Sequence, residues 1–135
     1  MSSIKVLVVD DSPLTQEILT VIFDSEEDIE VVGTANNGFE ALELVETENP
    51  DFITMDISMP EMDGMEATKA IRSLSPNEFG SKSETPIIAL TANAMKGDER
   101  ICLEAGMTDY LPKPLQREQL IAILQKHLPE QPLSI

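Results

Sequence analysis

Three carboxylates, one hydroxyl and one amine stand at points where an apolar run gives way to polar chain. Asp10 and Asp11 follow Ile4-Lys-Val-Leu-Val-Val9, and Asp56 ends Phe52-Ile-Thr-Met-Asp56. Thr91 follows Pro86-Ile-Ile-Ala-Leu90, and Lys113 lies two residues beyond Asp109-Tyr-Leu111. Taken singly, each has an ordinary reading: turn residues for the aspartates, a helix cap for Thr91, a surface amine for Lys113. If the runs are parallel strands of one sheet, all five groups gather at its carboxyl edge, where ligands bind in open α/β sheets. Carboxylates so gathered repel, by about 4 kcal/mol per pair at about 4 Å and an effective dielectric near 20, so the site needs a cation or a proton. Mg²⁺ suits a few carboxylates plus water, and leaves positions for phosphate oxygens. Asp11 and Asp56 are the expected direct ligands, Asp10 a ligand through water, and the backbone carbonyl of Ile57 a further one. With one oxygen of Asp56 on the metal, the other can attack a phosphoryl group in line. Lys113 would neutralise developing charge, and Thr91 would donate a hydrogen bond to the phosphoryl oxygens.

The elements needed for this can be read in order. Apart from Lys5, Thr54 and the terminal Asp56, the runs at 4–9 and 52–56 are apolar, as strands buried on both faces are. Ser12-Pro13 starts a helix, with Ser as N-cap and Pro where a missing N–H costs nothing; Leu14, Ile18, Leu19 and Ile22 follow at helical spacing. Ile29-Glu-Val-Val-Gly-Thr-Ala35 reads as a second strand. Asn36-Asn-Gly38 reads as a turn, and Ala41, Leu42 and Val45 as the stripe of a second helix ending before Pro50. Gly64 closes the loop after Asp56, and Met65, Ala67, Thr68 and Ile71 lie on a short third helix. The polar stretch 73–85 predicts a loop longer than the usual ~2–6 residues. A fourth strand runs from Pro86 to Leu90, a helix from about Ala94 to Ala105 stops at Gly106, and Asp109-Tyr-Leu111 is a very short fifth strand. Leu120, Ile121, Ile123 and Leu124 mark a last helix reaching about Leu128. Alternation of strand and helix predicts a doubly wound five-stranded parallel sheet with five helices on its two faces and right-handed crossovers.

Composition narrows the function. A chain of 135 residues, 41% apolar, suits one domain, expected at 1–128 with a short frayed tail at 129–135. No apolar run approaches the ~20 residues of a membrane helix. The amino terminus lacks a signal peptide's pattern, so the expected location is cytoplasmic. The single Cys102 reads as a buried helix residue. Of the formal net charge of −16, all sits in residues 1–68, which hold seventeen acidic side chains against Lys5 alone; residues 69–135 hold eight of each sign. Such a surface argues against direct nucleic-acid binding. Most of Glu26, Glu27, Asp28, Glu30, Glu43, Glu46 and Glu48 read as solvated surface. His127, the only histidine, is placed where a cation suits the end of a helix.

Four segments in sequence, Val8-Val-Asp-Asp-Ser12, Met55-Asp-Ile-Ser-Met-Pro-Glu-Met-Asp-Gly64, Ala89-Leu-Thr-Ala92 and Tyr110-Leu-Pro-Lys-Pro114, together resemble a response-regulator receiver domain over about residues 4–128. The resemblance implies a flavodoxin-like fold with strand order 2-1-3-4-5. It also implies a signalling phospho-acceptor that catalyses only its own phosphorylation and dephosphorylation, with Mg²⁺ or Mn²⁺ as cofactor. It assigns Asp56 as acceptor, Asp10 and Asp11 as the acidic metal site, Lys113 as phosphoryl contact, and Thr91 with Tyr110 as a switch pair, and it implies a cis bond at Lys113-Pro114. A histidine kinase or histidine phosphotransfer protein would be the donor, approaching near Asp56 and Leu14. A downstream protein would read the face of the fourth helix, fifth strand and fifth helix, where Met95, Lys96, Arg100, Lys113 and Arg117 are expected. Ser58 and Asn93 fall at positions that vary in the family and could tune hydrolysis.

Rival readings fare worse. A haloacid-dehalogenase-type phosphatase needs a second aspartate two residues after its nucleophile, where this chain has Ser58. No glycine-rich dinucleotide loop or phosphate-binding loop follows any strand. A phosphorylation-independent receiver-like binding module is the remaining alternative, and the complete acidic set argues against it. The amino-terminal half resembles receivers attached to chemotaxis methylesterases, while Thr91-Ala-Asn-Ala-Met95 resembles those fused to hybrid histidine kinases.

Overall fold

The computed structural model describes residues 4–57, 63–73, 85–91, 96–112 and 116–127, with the backbone alone for 96–99 and 101. Expectations for Ser58, the loop at 74–84, Asn93, Met95, Lys113, the Lys113-Pro114 bond and the tail at 129–135 concern residues outside this description.

The chain alternates β1 (Ile4–Val9), α1 (Pro13–Asp24), β2 (Ile29–Ala35), α2 (Gly38–Glu48), β3 (Phe52–Asp56), α3 (Gly64–Arg72), β4 (Ile87–Thr91), α4 (Lys96–Ala105), β5 (Asp109–Pro112) and α5 (Arg117–His127). All strand pairs are parallel, and the order is β2-β1-β3-β4-β5. The predicted doubly wound sheet is therefore present, with β3 at its centre. Both β3 and β4 are buried along their whole length, as their mainly apolar runs require.

Alternation along each strand divides the core in two. Val6, Val8, Phe52, Ile88, Leu90 and Leu111 face a layer built by Leu19 and Phe23 of α1 and Leu120, Ile121 and Leu124 of α5. On the other face Leu7, Val9, Ile53, Met55, Ile87 and Ala89 meet Ala41, Val45, Ala67, Ile71 and Cys102 from α2, α3 and α4. Cys102 is buried, as predicted.

Local chemistry sets the helix starts. Ser12 accepts from the Thr15 N–H with Pro13 as first helical residue, Asn37 caps α2, and Asp63 with Glu66 forms a reciprocal capping box on α3. Gly106 ends α4 at φ +107°, a conformation suited to glycine.

Some expectations are corrected. In α1, which forms as expected, Leu19 and Phe23 face the sheet, while Leu14 and Ile18 are exposed. Gly64 is the first residue of α3 rather than the close of a loop. The fifth strand includes Pro112, tolerated on an edge strand. Glu26 is buried and paired with Arg117, so it is not solvated surface. Arg117 also donates to Ser25 Oγ at 3.3 Å, which engages it with the end of α1. Among described helices, none is long and apolar enough to cross a membrane.

Candidate functional site: an acidic pocket at the carboxyl edge

β1 and β3 are neighbours in register from Val6 opposite Phe52 to Val9 opposite Met55, so the next residues, Asp10 and Asp56, emerge side by side. Carboxylate oxygens of Asp10, Asp11 and Asp56 lie within 4.8 Å of one another. Asp10 and Asp56 are buried while Asp11 is exposed, leaving the pocket walled by two acids and open past the third.

The loop carrying Asp10 and Asp11 is held at several points. The Asp10 N–H donates to the Ala35 carbonyl at 3.0 Å, and Asp10 Oδ1 accepts the Ser12 N–H at 2.9 Å. The Asp10 carbonyl accepts Gln16 Nε2 at 2.6 Å, and that same amide nitrogen donates to Asn36 Oδ1 at 2.8 Å. On the other side, the Ile57 N–H donates to the Leu90 carbonyl at 3.3 Å and the Ile57 carbonyl accepts the Gly64 N–H at 3.4 Å. α3 thus begins against the backbone at the end of β3. A Cβ on Gly64 would lie 2.3 Å from the Asp56 carbonyl oxygen and 2.8 Å from Ile57 Cα, a contact that backbone atoms cannot relieve cheaply.

Thr91 is buried at the end of β4, beside the β3 terminus through the pairing of Asp56 with Leu90. Tyr110 pairs with Ala89, so its half-buried ring shares a sheet face with Thr91, one step along the strand, and packs on the core of α2, α3 and α4. The small Ala89 opposite it leaves room for the ring. Asp109, which starts β5, accepts the Tyr110 N–H on Oδ1 at 2.9 Å and bonds through Oδ2 to Lys126 at 3.3 Å and His127 at 3.1 Å. Burial pushes the Asp109 carboxyl up, but the bonds from His127, the Tyr110 N–H and Lys126 outweigh it and leave the pKa below the usual value. His127 therefore tethers α5 to β5, a partner its position at a helix end did not reveal.

A family model for the response regulator receiver domain matches residues 6–125. The chain belongs to that family. Among curated relatives, the protein-glutamate methylesterase/protein-glutamine glutaminase of Methanococcus maripaludis is 44% identical over 116 residues, covering 84% of this chain and 30% of that protein. The sensor histidine kinase GacS of Pseudomonas protegens is 39% identical over 123 residues, 90% of this chain and 13% of that one. This chain therefore spans under a third of the length of either relative. Both kinds of host protein suggested by the two sequence halves are represented. Of solved structures, the receiver domain of sensor histidine kinase PA1611 from Pseudomonas aeruginosa, described with a magnesium ion coordinated in its active-site cleft, superposes with a TM-score of 0.82 at 37% identity over 95% of this chain and 99% of that one.

Asp10, Asp11, Asp56 and Ile57 are thus together at one edge, with Thr91 and Tyr110 on the adjoining strands. Sequence reasoning missed Gln16, which has no motif of its own, and the backbone contact that leaves no room for a side chain at Gly64. The Asp-Gly pair before a helical pattern was the available signal for the latter.

Proposed function

We propose that this receiver accepts a phosphoryl group on Asp56 from a phosphohistidine donor in a Mg²⁺-dependent reaction and switches a protein-binding face. The convergence of three carboxylates within 4.8 Å at the sheet's carboxyl edge carries the reading. Hard oxygen donors in that number fit Mg²⁺, with Mn²⁺ as the other candidate. Asp11 and an oxygen of Asp56 would hold the ion directly, with the Ile57 carbonyl, whose single described hydrogen bond is long. Asp10 has Oδ1 committed to Ser12 and would contribute through Oδ2 and a water. When bound, the ion supplies positive charge that offsets the carboxylates and the transferring phosphoryl group.

The remaining work falls to the chain. The second oxygen of Asp56 attacks phosphorus, the new O–P bond forming as the N–P bond of the phosphohistidine breaks; the imidazole leaves and takes up a proton. Burial of Asp56 limits water access to the acyl phosphate. The Lys113 ammonium would pair with the phosphoryl oxygens, and the Thr91 hydroxyl would turn to donate to them. Space left by Thr91 would admit the Tyr110 ring, altering the face of α4, β5 and α5 for a downstream partner.

For the donor, α1 offers Leu14, Ile18 and Val21, spaced i, i+4 and i+7 and 66%, 43% and 64% exposed. They begin two residues beyond Ser12, beside the pocket. An apolar helix rimmed with basic residues matches this stripe and the acidic residues of the first half of the chain. A cytoplasmic location and a receiver unit at 1–128 followed by a tail belong to the same reading.

Intact-mass analysis with Mg²⁺ and acetyl phosphate tests it. Wild type should gain a labile adduct of one phosphoryl group, lost on chelation of the metal and absent in Asp56→Asn. No adduct with acetyl phosphate or with phosphohistidine donors would overturn acceptance and leave the binding-module reading.

A further inference from the structure

We infer that Gln16 is a positioning residue for the metal pocket, holding the Asp10-Asp11 loop in its cation-ready shape by bridging it to Asn36 at the end of β2. The inference rests on the metal reading above and adds the group that keeps the pocket assembled before a cation arrives.

The problem is electrostatic. Three carboxylates with oxygens within 4.8 Å of one another repel in the absence of a cation. Asp56 stands on the central, fully buried strand, so the part able to give way is the loop of Asp10 and the exposed Asp11. Relaxation of that loop would relieve repulsion and spoil the ligand geometry together. Side-chain hydrogen bonds to that loop oppose it.

Gln16 is placed to do so. It is the fourth residue of α1, and its N–H bonds to the Ser12 carbonyl at 3.0 Å, so its backbone belongs to a capped helix. Its Nε2 donates at 2.6 Å to the Asp10 carbonyl and at 2.8 Å to Asn36 Oδ1. Asn36 is itself oriented, because both its N–H and its Nδ2 donate to Glu40 Oε1, at 2.9 and 3.1 Å. With its amide nitrogen turned to Glu40, Asn36 presents only oxygen to Gln16. The hydrogen-bond polarity thus runs without conflict from Gln16 through Asn36 to Glu40. With the Asp10 N–H on Ala35, both backbone polar groups of Asp10 are fixed from elements outside the loop. Asparagine at 16 would be one methylene too short to span the two oxygens, and glutamate would set a carboxylate against them.

Partners that orient metal ligands contribute about 10–100-fold in affinity or activity, and a neutral amide acting on a ligand's own carbonyl belongs at the lower end. The test is Mg²⁺ binding to the whole chain by titration calorimetry, with thermal unfolding as the control for folding. Gln16→Ala is expected to weaken Mg²⁺ about tenfold, and Asn36→Ala, on an exposed turn, to weaken it less. Gln16→Glu discriminates mechanism: added negative charge alone would tighten Mg²⁺, whereas loss of the donor weakens it. In acetyl-phosphate kinetics, Gln16→Ala should raise the Mg²⁺ concentration for half-maximal rate and leave the rate at saturating Mg²⁺ near wild type. Unchanged Mg²⁺ affinity in folded Gln16→Ala, or tighter binding in Gln16→Glu, overturns the inference while a binding wild type leaves the metal reading standing. Should Gln16→Ala not fold, unchanged affinity in Asn36→Ala overturns it. A wild type that binds no Mg²⁺ overturns the metal reading itself and this inference with it.

Discussion

Thr54 lies midway along β3, paired with Val8 on one side and Ile88 on the other, and it shares a sheet face with Phe52 and Asp56. Its Oγ1 is fully buried with no hydrogen-bond partner among the described residues. A buried hydroxyl without a partner costs about 1–3 kcal/mol in proteins. Valine has the same branched shape and matches the two neighbours. Thr54→Val should therefore raise unfolding stability by about 1 kcal/mol, measured by urea denaturation, with phosphorylation of Asp56 retained. A loss of stability would mean that the hydroxyl has a hydrogen-bond partner beyond the described residues. Strand β3 thus carries one polar group that the proposed chemistry uses and one that the fold tolerates.

Two side chains tie elements together where backbone pairing does not reach. Arg72, at the end of α3, donates through Nε to the Gly106 carbonyl at 2.8 Å, through Nη1 to the Thr85 carbonyl at 2.6 Å and through Nη2 to Thr108 Oγ1 at 3.2 Å. Thr108 Oγ1 also accepts the Ile87 N–H at 3.0 Å, so one guanidinium fixes the start of β4 and the turn between α4 and β5. Burial draws its pKa down from the usual value. Lysine cannot reproduce the planar fork; Arg72→Lys should destabilise by about 1–3 kcal/mol through carbonyls left unsatisfied, read from denaturant midpoints. Asp109 makes the second tie, from β5 to the end of α5. Its folded pKa lies below the unfolded one, so its contribution is complete above the unfolded value of about 3.9 and is lost as pH falls through the folded pKa. Asp109→Asn should accordingly be less stable than wild type at pH 7, by on the order of 1 kcal/mol. The gap should narrow below about pH 4 in acid-unfolding curves; a constant gap would mean that the carboxylate's charge is not what matters. Neither tie was legible in the sequence, because Arg72 meets a residue 36 positions on and Asp109 one 18 positions on. What the sequence did disclose were local events: mainly apolar runs for buried strands, Ser12-Pro13 for a helix start, Gly106 for a helix stop. It placed α1, but apolar residues there occupy two sides, and periodicity cannot say which meets the sheet. The pocket was legible for a topological reason, since parallel strands bring residues distant in sequence to one edge.

Charge acts on the molecule as a whole. The net −16 is concentrated in residues 1–68, the part that also holds Asp10, Asp11 and Asp56, so folding draws the acid-rich half together against its own repulsion. A divalent ion in the pocket of the folded chain would relieve part of that repulsion, and an ion that prefers the folded form stabilises it by RT ln(1 + [L]/Kd). At ten times Kd this amounts to about 1.4 kcal/mol, a rise in Tm of about 3–7 °C for a domain of this size. NaCl at matched ionic strength screens the acidic surface in general without filling the pocket. The expected result is a larger rise in Tm with Mg²⁺ than with matched NaCl, with the excess reduced in Asp11→Ala and the NaCl response retained. Differential scanning fluorimetry over a Mg²⁺ series reads both effects. Equal shifts with the two salts would make the acidic cluster ordinary surface charge, and the metal-dependent chemistry proposed for Asp56 would lose its physical basis.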